Sequence, residues 1–300
     1  AVNLQTIARS MNQHDSQRMN ETRVLCGDGR DGKGALESLQ GNLNLSQMPE
    51  IALLHLDPAR PRNSREHGLD EMAPRLDEIF TGWKPFLSEG KRGPSLLLDL
   101  SPRLSHQQRL QVENMVDLVW PQIDRTWVWT SRGRGRVDRL ALWLGSISIP
   151  NVARRYVRIP PNLQDEPLII DGGEPIQMGD GIPQKSRRPP RKGERVSLLD
   201  AALVESGLAN VWLNSVTKSE EIHWGVVGGR RPQIHHDHPL RLEGNNRLLV
   251  QATGKIATLA HMNLTLKEVD ALVRVALDND IHKLTVRVSL DPEVQPKVQG

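Results

Sequence analysis

The stretch Ile51-Ala52-Leu53-Leu54-His55-Leu56-Asp57-Pro58-Ala59-Arg60 is a short apolar block cut off by Asp-Pro. A run of that length ended by turn-forming residues reads as a strand. The same kind of block recurs at Ala1 to Leu4, at Thr22 to Cys26 and at Ser95 to Leu100. Between the blocks lie helical candidates, Thr6 to Asn12, Lys33 to Gln40 and Leu69 to Trp83; in the last, Leu69, Met72, Leu76, Ile79, Phe80 and Trp83 fall at helical spacing. Strands alternating with helices predict βαβ units and a parallel sheet.

Outward from this core the pattern changes. After a further helix, Gln107 to Val119, two strands are predicted at Arg125 to Ser131 and Arg136 to Gly145, separated by Arg132-Gly133-Arg134-Gly135. This reads as an antiparallel hairpin closing the edge of the sheet. Short strands follow at Arg155 to Ile159 and Pro167 to Ile170, and Asp171 to Arg195 reads as a linker or long surface loop. Beyond it come a short helix at Leu198 to Leu208, a strand at Gly254 to Ala260, a helix at Leu266 to Leu277 with a Thr265/Glu268 capping box, and a strand at Lys283 to Val288. The last three make a compact βαβ module.

Composition bounds the function. The 300 residues are 37% hydrophobic, an ordinary globular share, and 39 Lys+Arg face 36 Asp+Glu for a net charge of +3. A nucleic-acid role must therefore rest on local clusters. One such cluster is the loop holding Lys185, Arg187, Arg188, Arg191, Lys192 and Arg195 against Glu194 alone; the other is Arg132, Arg134 and Arg136. The single cysteine, Cys26, makes an intramolecular disulfide or a multi-cysteine metal site impossible and points to a reducing compartment. No apolar run approaches the roughly 20 residues of a bilayer span, so the expectation is a cytoplasmic protein without a membrane partner. With Trp 7, Phe 2 and Tyr 1, a base-stacking surface of several Phe or Tyr is not expected.

Ligands of open α/β sheets bind outside the carboxyl ends of the strands. The residues to examine are therefore Asn3, Gly27-Asp28, Asp57-Pro58-Ala59-Arg60 and Ser101-Pro102. A carboxylate there can accept hydrogen bonds from a ribose or an adenine amino group, and Asp57 can orient an acceptor or take its proton. His235-His236-Asp237-His238 offers metal ligands, but neighbouring side chains of an extended run point to opposite faces; a surface loop without metal is expected.

Taken in order, Ala1-Val2-Asn3-Leu4, Cys26-Gly27-Asp28-Gly29, Asp57-Pro58-Ala59-Arg60, Leu100-Ser101-Pro102 and Leu142-Trp143-Leu144-Gly145 resemble the motifs of class I S-adenosylmethionine-dependent methyltransferases. The resemblance is to the subfamily with a C-terminal THUMP-like domain, whose βαβ segment Leu264 to Pro292 resembles. It implies a Rossmann-like α/β sheet lacking its first strand, over residues 1–150, a connecting segment with a basic linker at 151–195, and a small α+β THUMP-like region at 196–300. It implies S-adenosylmethionine as cofactor, with Asn3 at the ribose in place of the family's acidic residue, Asp28 at the adenine, and Gly27 and Gly29 allowing close approach. Asp57 and Pro58 would line the methyl-transfer site. RNA is the implied substrate, with Arg60, Arg132, Arg134, Arg136, Arg187 and Arg188 as its contacts. The glycine-rich cofactor loop is expected upstream of Ala1, which makes the chain a fragment of a longer one. The alternative is an RNA- or ribosome-associated binding protein that has lost methyl transfer.

Overall fold

The computed structural model describes residues 25–58, 69, 71–133, 135–173, 183–217, 222–260 and 269–283. The expected strand and helix over 1–12, most of the expected strand at 22–26, the capping box at Thr265 and most of the last strand lie outside them.

The first sheet is mixed. Its strands are β1 (Leu54–Leu56), β2 (Leu96–Leu100), β3 (Arg125–Ser131), β4 (Arg139–Leu144), β5 (Arg154–Arg158) and β6 (Leu168–Gly172), in the order β1-β2-β4-β3-β5-β6. β1 runs parallel to β2 and β3 parallel to β5; β4 lies antiparallel between β2 and β3, and β6 antiparallel to β5. The hairpin is thus present but inside the sheet, because the short strands after it continue the sheet past β3. The parallel-sheet expectation holds for two of the five pairings.

Register decides which face is the core. Leu54, Leu96, Leu144, Arg125 and their neighbours two apart align across the sheet, so Leu98, Leu142, Trp127, Leu140, Trp129 and Tyr156 share one buried face. Helices α1 (Gly32–Leu43), α2 (Leu76–Trp83) and α3 (His106–Val119) precede β1, β2 and β3 respectively. Phe80 of α2 meets Trp120, at the end of α3, edge to face at 5.4 Å, and Arg109 of α3 lies over Trp129 with its guanidinium 5.6 Å from the ring centre. α2 begins at Leu76 rather than Leu69, since Pro74 has no N–H to give a helix; Leu69 and Met72 are buried in the same core all the same.

A second sheet, unpredicted, is antiparallel throughout: β7 (Arg195–Leu199), β8 (Ile222–Val226), β9 (Gln233–His236) and β10 (Val250–Lys255), in the order β10-β7-β9-β8. The expected helix at Leu198 to Leu208 is instead the end of β7 followed by α4 (Ala201–Glu205), which Asp200 caps by accepting the Ala202 N–H. β10 lies upstream of the strand expected at Gly254 to Ala260. α5 (Ala209–Val216) and α6 (Val269–Asp278) complete the elements, and one hydrophobic core runs from Leu54 to Leu249 through both sheets.

Candidate functional site

β1, β2, β3 and β5 point the same way, so their carboxyl ends form one edge. At its first strand Asp57 is exposed and Pro58 buried. The proline anchors the turn while the carboxylate reaches solvent. Beside them, His55 Nε2 is 3.0 Å from Asp99, which also sits 3.7 Å from Arg139. At β2 the hydroxyl of Ser101 is buried and accepts the Arg103 N–H, so it is a turn residue. Arg60 lies outside the described residues.

Gly27, Asp28 and Gly29 form an exposed loop before α1. Both Asp28 oxygens are held by Arg30, whose guanidinium also approaches Glu78 at 3.6 Å. Hydrogen bonds from the Arg30 side chain and backbone hold the Asp28 carboxyl down to about 2. A Cβ at Gly27 would meet nothing within 4 Å, whereas one at Gly29 would touch Pro74. The Trp83 indole donates to the Gly29 carbonyl at 2.8 Å and pins the loop to α2. Cys26 is exposed. Asn3 lies outside the described residues.

At the far end of the same edge, β3 and β5 deliver a different chemistry. Arg154, Tyr156 and Arg158 alternate on the buried face of β5. Opposite them Ser131 donates to Asp200 at 2.7 Å, and Arg158 Nε lies 3.8 Å from the same carboxylate. Burial pushes the Asp200 carboxyl up, and Ser131, the Ala202 N–H and Arg158 work against that. The Arg158 guanidinium donates to the Leu248, Ser131 and Ile159 carbonyls. It lines a cavity of about 500 Å³ together with Gly133, Arg230, Arg231, Arg247, Leu248, Val250 and Gln251.

The glycines of the β3–β4 turn make this junction possible. Gly133 has φ +87, and a Cβ there would lie 2.7 Å from Arg158 Nη2; at Gly135, φ +70, a Cβ would run into the Arg230 carbonyl. Only glycine accepts both the conformation and the approach. Arg132 of that turn is exposed and loosely paired with Asp138 at 3.4 Å, Arg136 is exposed, and Arg134 lies outside the described residues.

The basic loop divides. Arg187 is exposed, but Arg188 is spent on the buried Glu194 carboxylate, which also accepts the Arg191 N–H and faces His235 Nδ1 at 3.3 Å. Burial alone would raise the Glu194 carboxyl; the Arg191 N–H and Arg188 outweigh it and hold it below the ordinary value. Lys185, Arg187 and Arg188 line a second cavity, of about 630 Å³, with Gly225, Val226, Gln233 and His235.

His235 and His236 are on β9 and buried, not on a surface loop. His236 donates from Nδ1 to the His238 carbonyl at 2.6 Å, and its Nε2 is 2.9 Å from Ser197 Oγ, which itself donates to Thr253 Oγ1 at 3.0 Å. Burial pushes the His236 pKa down. Among the described residues no group of three or more His, Cys, Asp or Glu is placed to hold a metal ion, and no helix is long and apolar enough to cross a membrane.

Sequence reasoning missed Arg158, Arg230, Arg231 and Arg247. A signal existed in Gly228-Gly229-Arg230-Arg231, a glycine turn carrying a basic pair. Nothing local, however, says which other turn it meets.

No protein-family model matches the chain, and no curated protein matches it. Among solved structures it is similar to a "putative methyltransferase from Porphyromonas gingivalis W83", at 15% sequence identity and a TM-score of 0.44, over 75% of this chain and 47% of that one. The chain spans about half the length of that structure.

Proposed function

We propose that the chain acts as an S-adenosylmethionine-dependent methyltransferase on RNA. The observation that carries this reading is the shared edge, with the exposed Asp57 on its buried Pro58 at one end and an arginine-lined cavity at the other. An acceptor could thus be aligned at one end while its phosphates are held at the other. β1 and β5 are four strand spacings of about 4.8 Å apart, so the two ends stand roughly 19 Å from each other.

The described part of the implied cofactor site fits in two respects. Gly27 leaves open space beside the backbone, and Asp28 stays ionised, with lone pairs that can accept from an adenine amino group. When bound, S-adenosylmethionine supplies a methyl group on a sulfonium. In-line displacement there needs alignment and desolvation of the attacking atom more than acid–base strength. Asp57 would accept a hydrogen bond from the acceptor N–H or O–H, orienting its lone pair, and Pro58 would fix the carboxylate's place. The THUMP-like assignment of the C-terminal region belongs to the same proposal.

The test is titration of the chain with S-adenosylmethionine, followed by transfer of labelled methyl to total RNA. Asp57→Ala should lower transfer at least about 100-fold, as expected for loss of an alignment group, with cofactor binding unchanged. Equal turnover would remove Asp57 from the site. A second reading, an RNA-binding module without transfer, draws on the engagement of both Asp28 oxygens by Arg30. RNA retention with cofactor bound but no methyl transferred would establish it instead.

A further inference from the structure

We propose that the cavity lined by Arg158, Arg230, Arg231 and Arg247 is a phosphodiester site that holds the backbone of the RNA, a proposal that rests on the RNA reading above. Four guanidinium groups and no acidic residue line it. The four arginines come from three pieces of chain: Arg158 from β5, Arg230 and Arg231 from the β8–β9 turn, Arg247 from the short helix before β10.

The cavity is built, not a chance crowding of surface charge. Arg158 is buried, and its Nε and Nη1 are fixed by three carbonyls. Among the described residues its Nη2 has no acceptor, and it lies beside Gly133, itself part of the lining. Arg247 uses Nε on the Leu242 carbonyl, and its terminal nitrogens have no hydrogen-bond partner among the described residues. Among the described residues, no hydrogen bond or ion pair engages the side chains of Arg230 and Arg231. Their turn is held through its backbone instead: the Arg230 carbonyl accepts from Gln251 at 3.1 Å and packs against Gly135. Arg158 keeps the buried Asp200 carboxylate 3.8 Å from its Nε, while Arg230, Arg231 and Arg247 have no ion-pair partner among the described residues. Planar guanidinium groups with free paired donors match phosphate oxygens.

An extended polyanion fits better than one small phosphate. The second basic cavity, with Lys185 and Arg187, is lined by Gly225, Val226 and Gln233 of the same hairpin whose turn carries Arg230 and Arg231. No acid lines it; Glu194, outside the lining, is buried and consumed by Arg188 and His235. One hairpin thus carries positive charge along its flank and at its tip. The lining of both cavities lacks Phe, Tyr and Trp, so recognition is of the backbone and independent of base identity.

The experiment is fluorescence anisotropy of the full chain with a labelled twelve-nucleotide polyuridylate over a series of salt concentrations. Arg230→Ala/Arg231→Ala, whose side chains bear no part of the fold, should weaken binding about tenfold or more at low salt and flatten the log–log salt slope by about 1.4, at roughly 0.7 per phosphate contact on a single strand. The Lys pair should recover much of the slope, and Lys33→Ala, on α1, should leave affinity unchanged. S-adenosylmethionine binding should be the same in all of them. If the wild-type chain binds the RNA and the double alanine variant binds it with the same affinity and slope, the cavity assignment is overturned while the RNA reading stands. If the wild-type chain binds no RNA, both fall. Polyglutamate competing as well as unlabelled RNA would overturn the phosphodiester assignment in favour of an acidic polypeptide.

Discussion

Asp200 is the residue on which most local structure converges. Its carboxylate caps α4, accepts from Ser131 and lies 3.8 Å from Arg158. Asp200→Ala removes a cap worth about 1 kcal/mol and leaves a buried guanidinium and hydroxyl short of a partner, so a loss of about 2–4 kcal/mol is expected. Asp200→Asn keeps an oxygen for the cap and should lose less; in urea unfolding, wild type against Asp200→Asn isolates the charge, and Asp200→Asn against Asp200→Ala isolates the cap oxygen. His236 carries a pH prediction. Since burial depresses its pKa, the unfolded chain binds a proton near pH 6.5 that the folded chain refuses. Its contribution to stability is thus present above that pH and lost as pH falls towards the folded pKa. Glu194, held below its ordinary value, adds a loss of the same sign only at more acid pH. Unfolding free energies at pH 7.5 and 5.5 should therefore fall with acidity, and His236→Gln should remove most of that fall. A fall unchanged in the variant would assign it elsewhere.

Among the elements, α3 begins on a capping box. Ser105 accepts the Gln108 N–H at 3.2 Å while Gln108 Oε1 accepts the Ser105 N–H at 2.8 Å, a reciprocal cap. Ser105→Ala should cost about 1 kcal/mol in denaturant unfolding, and restoring the cap with Asp should recover most of it. The neighbouring strands show what a sequence displays. Arg125–Ser131 and Leu96–Leu100 are strands where expected because each is a short apolar block, Leu96–Leu100 buried at alternate residues and Arg125–Ser131 on both faces. The second sheet was not legible for the opposite reason. Ser197, His235 and His236 are buried there through Glu194, Ser197–His236 and Ser197–Thr253 contacts, so the strands carry polar residues at core positions and show no apolar period. Asp57 and Gly27 to Gly29 could be singled out from local turn chemistry. The arginine cavity could not, since it depends on two glycine turns from different sheets meeting, a long-range fact.

At the scale of the molecule, the two sheets are not joined by a single bridge but by a seam. Leu199, Leu203 and Leu208 belong to the same core as Trp129 and Tyr156. Ser131 with Asp200, Arg158 with the Leu248 carbonyl, Gly135 against Arg230 and Asn245 with the Glu166 carbonyl tie the sheets together along its length. Either sheet unfolding alone would expose these leucines and leave Arg158 and Asp200 buried without each other. Partial unfolding would therefore carry a large part of the whole cost, which is the condition for one cooperative transition. Urea unfolding followed by far-UV circular dichroism and by tryptophan fluorescence should give coincident curves, since Trp127 and Trp129 report on one sheet and Trp224 on the other. Hydrogen exchange should give amides of β2, β3, β7 and β9 similar opening free energies. Two separated midpoints would mean that the seam is weaker than its contacts imply. The arginine cavity opens at that seam, between Gly133 of one sheet's turn and Arg230 of the other's. A polyanion held there by both sides stabilises only the joined state, so polyuridylate should raise the single midpoint by mass action and raise it less in Arg230→Ala/Arg231→Ala.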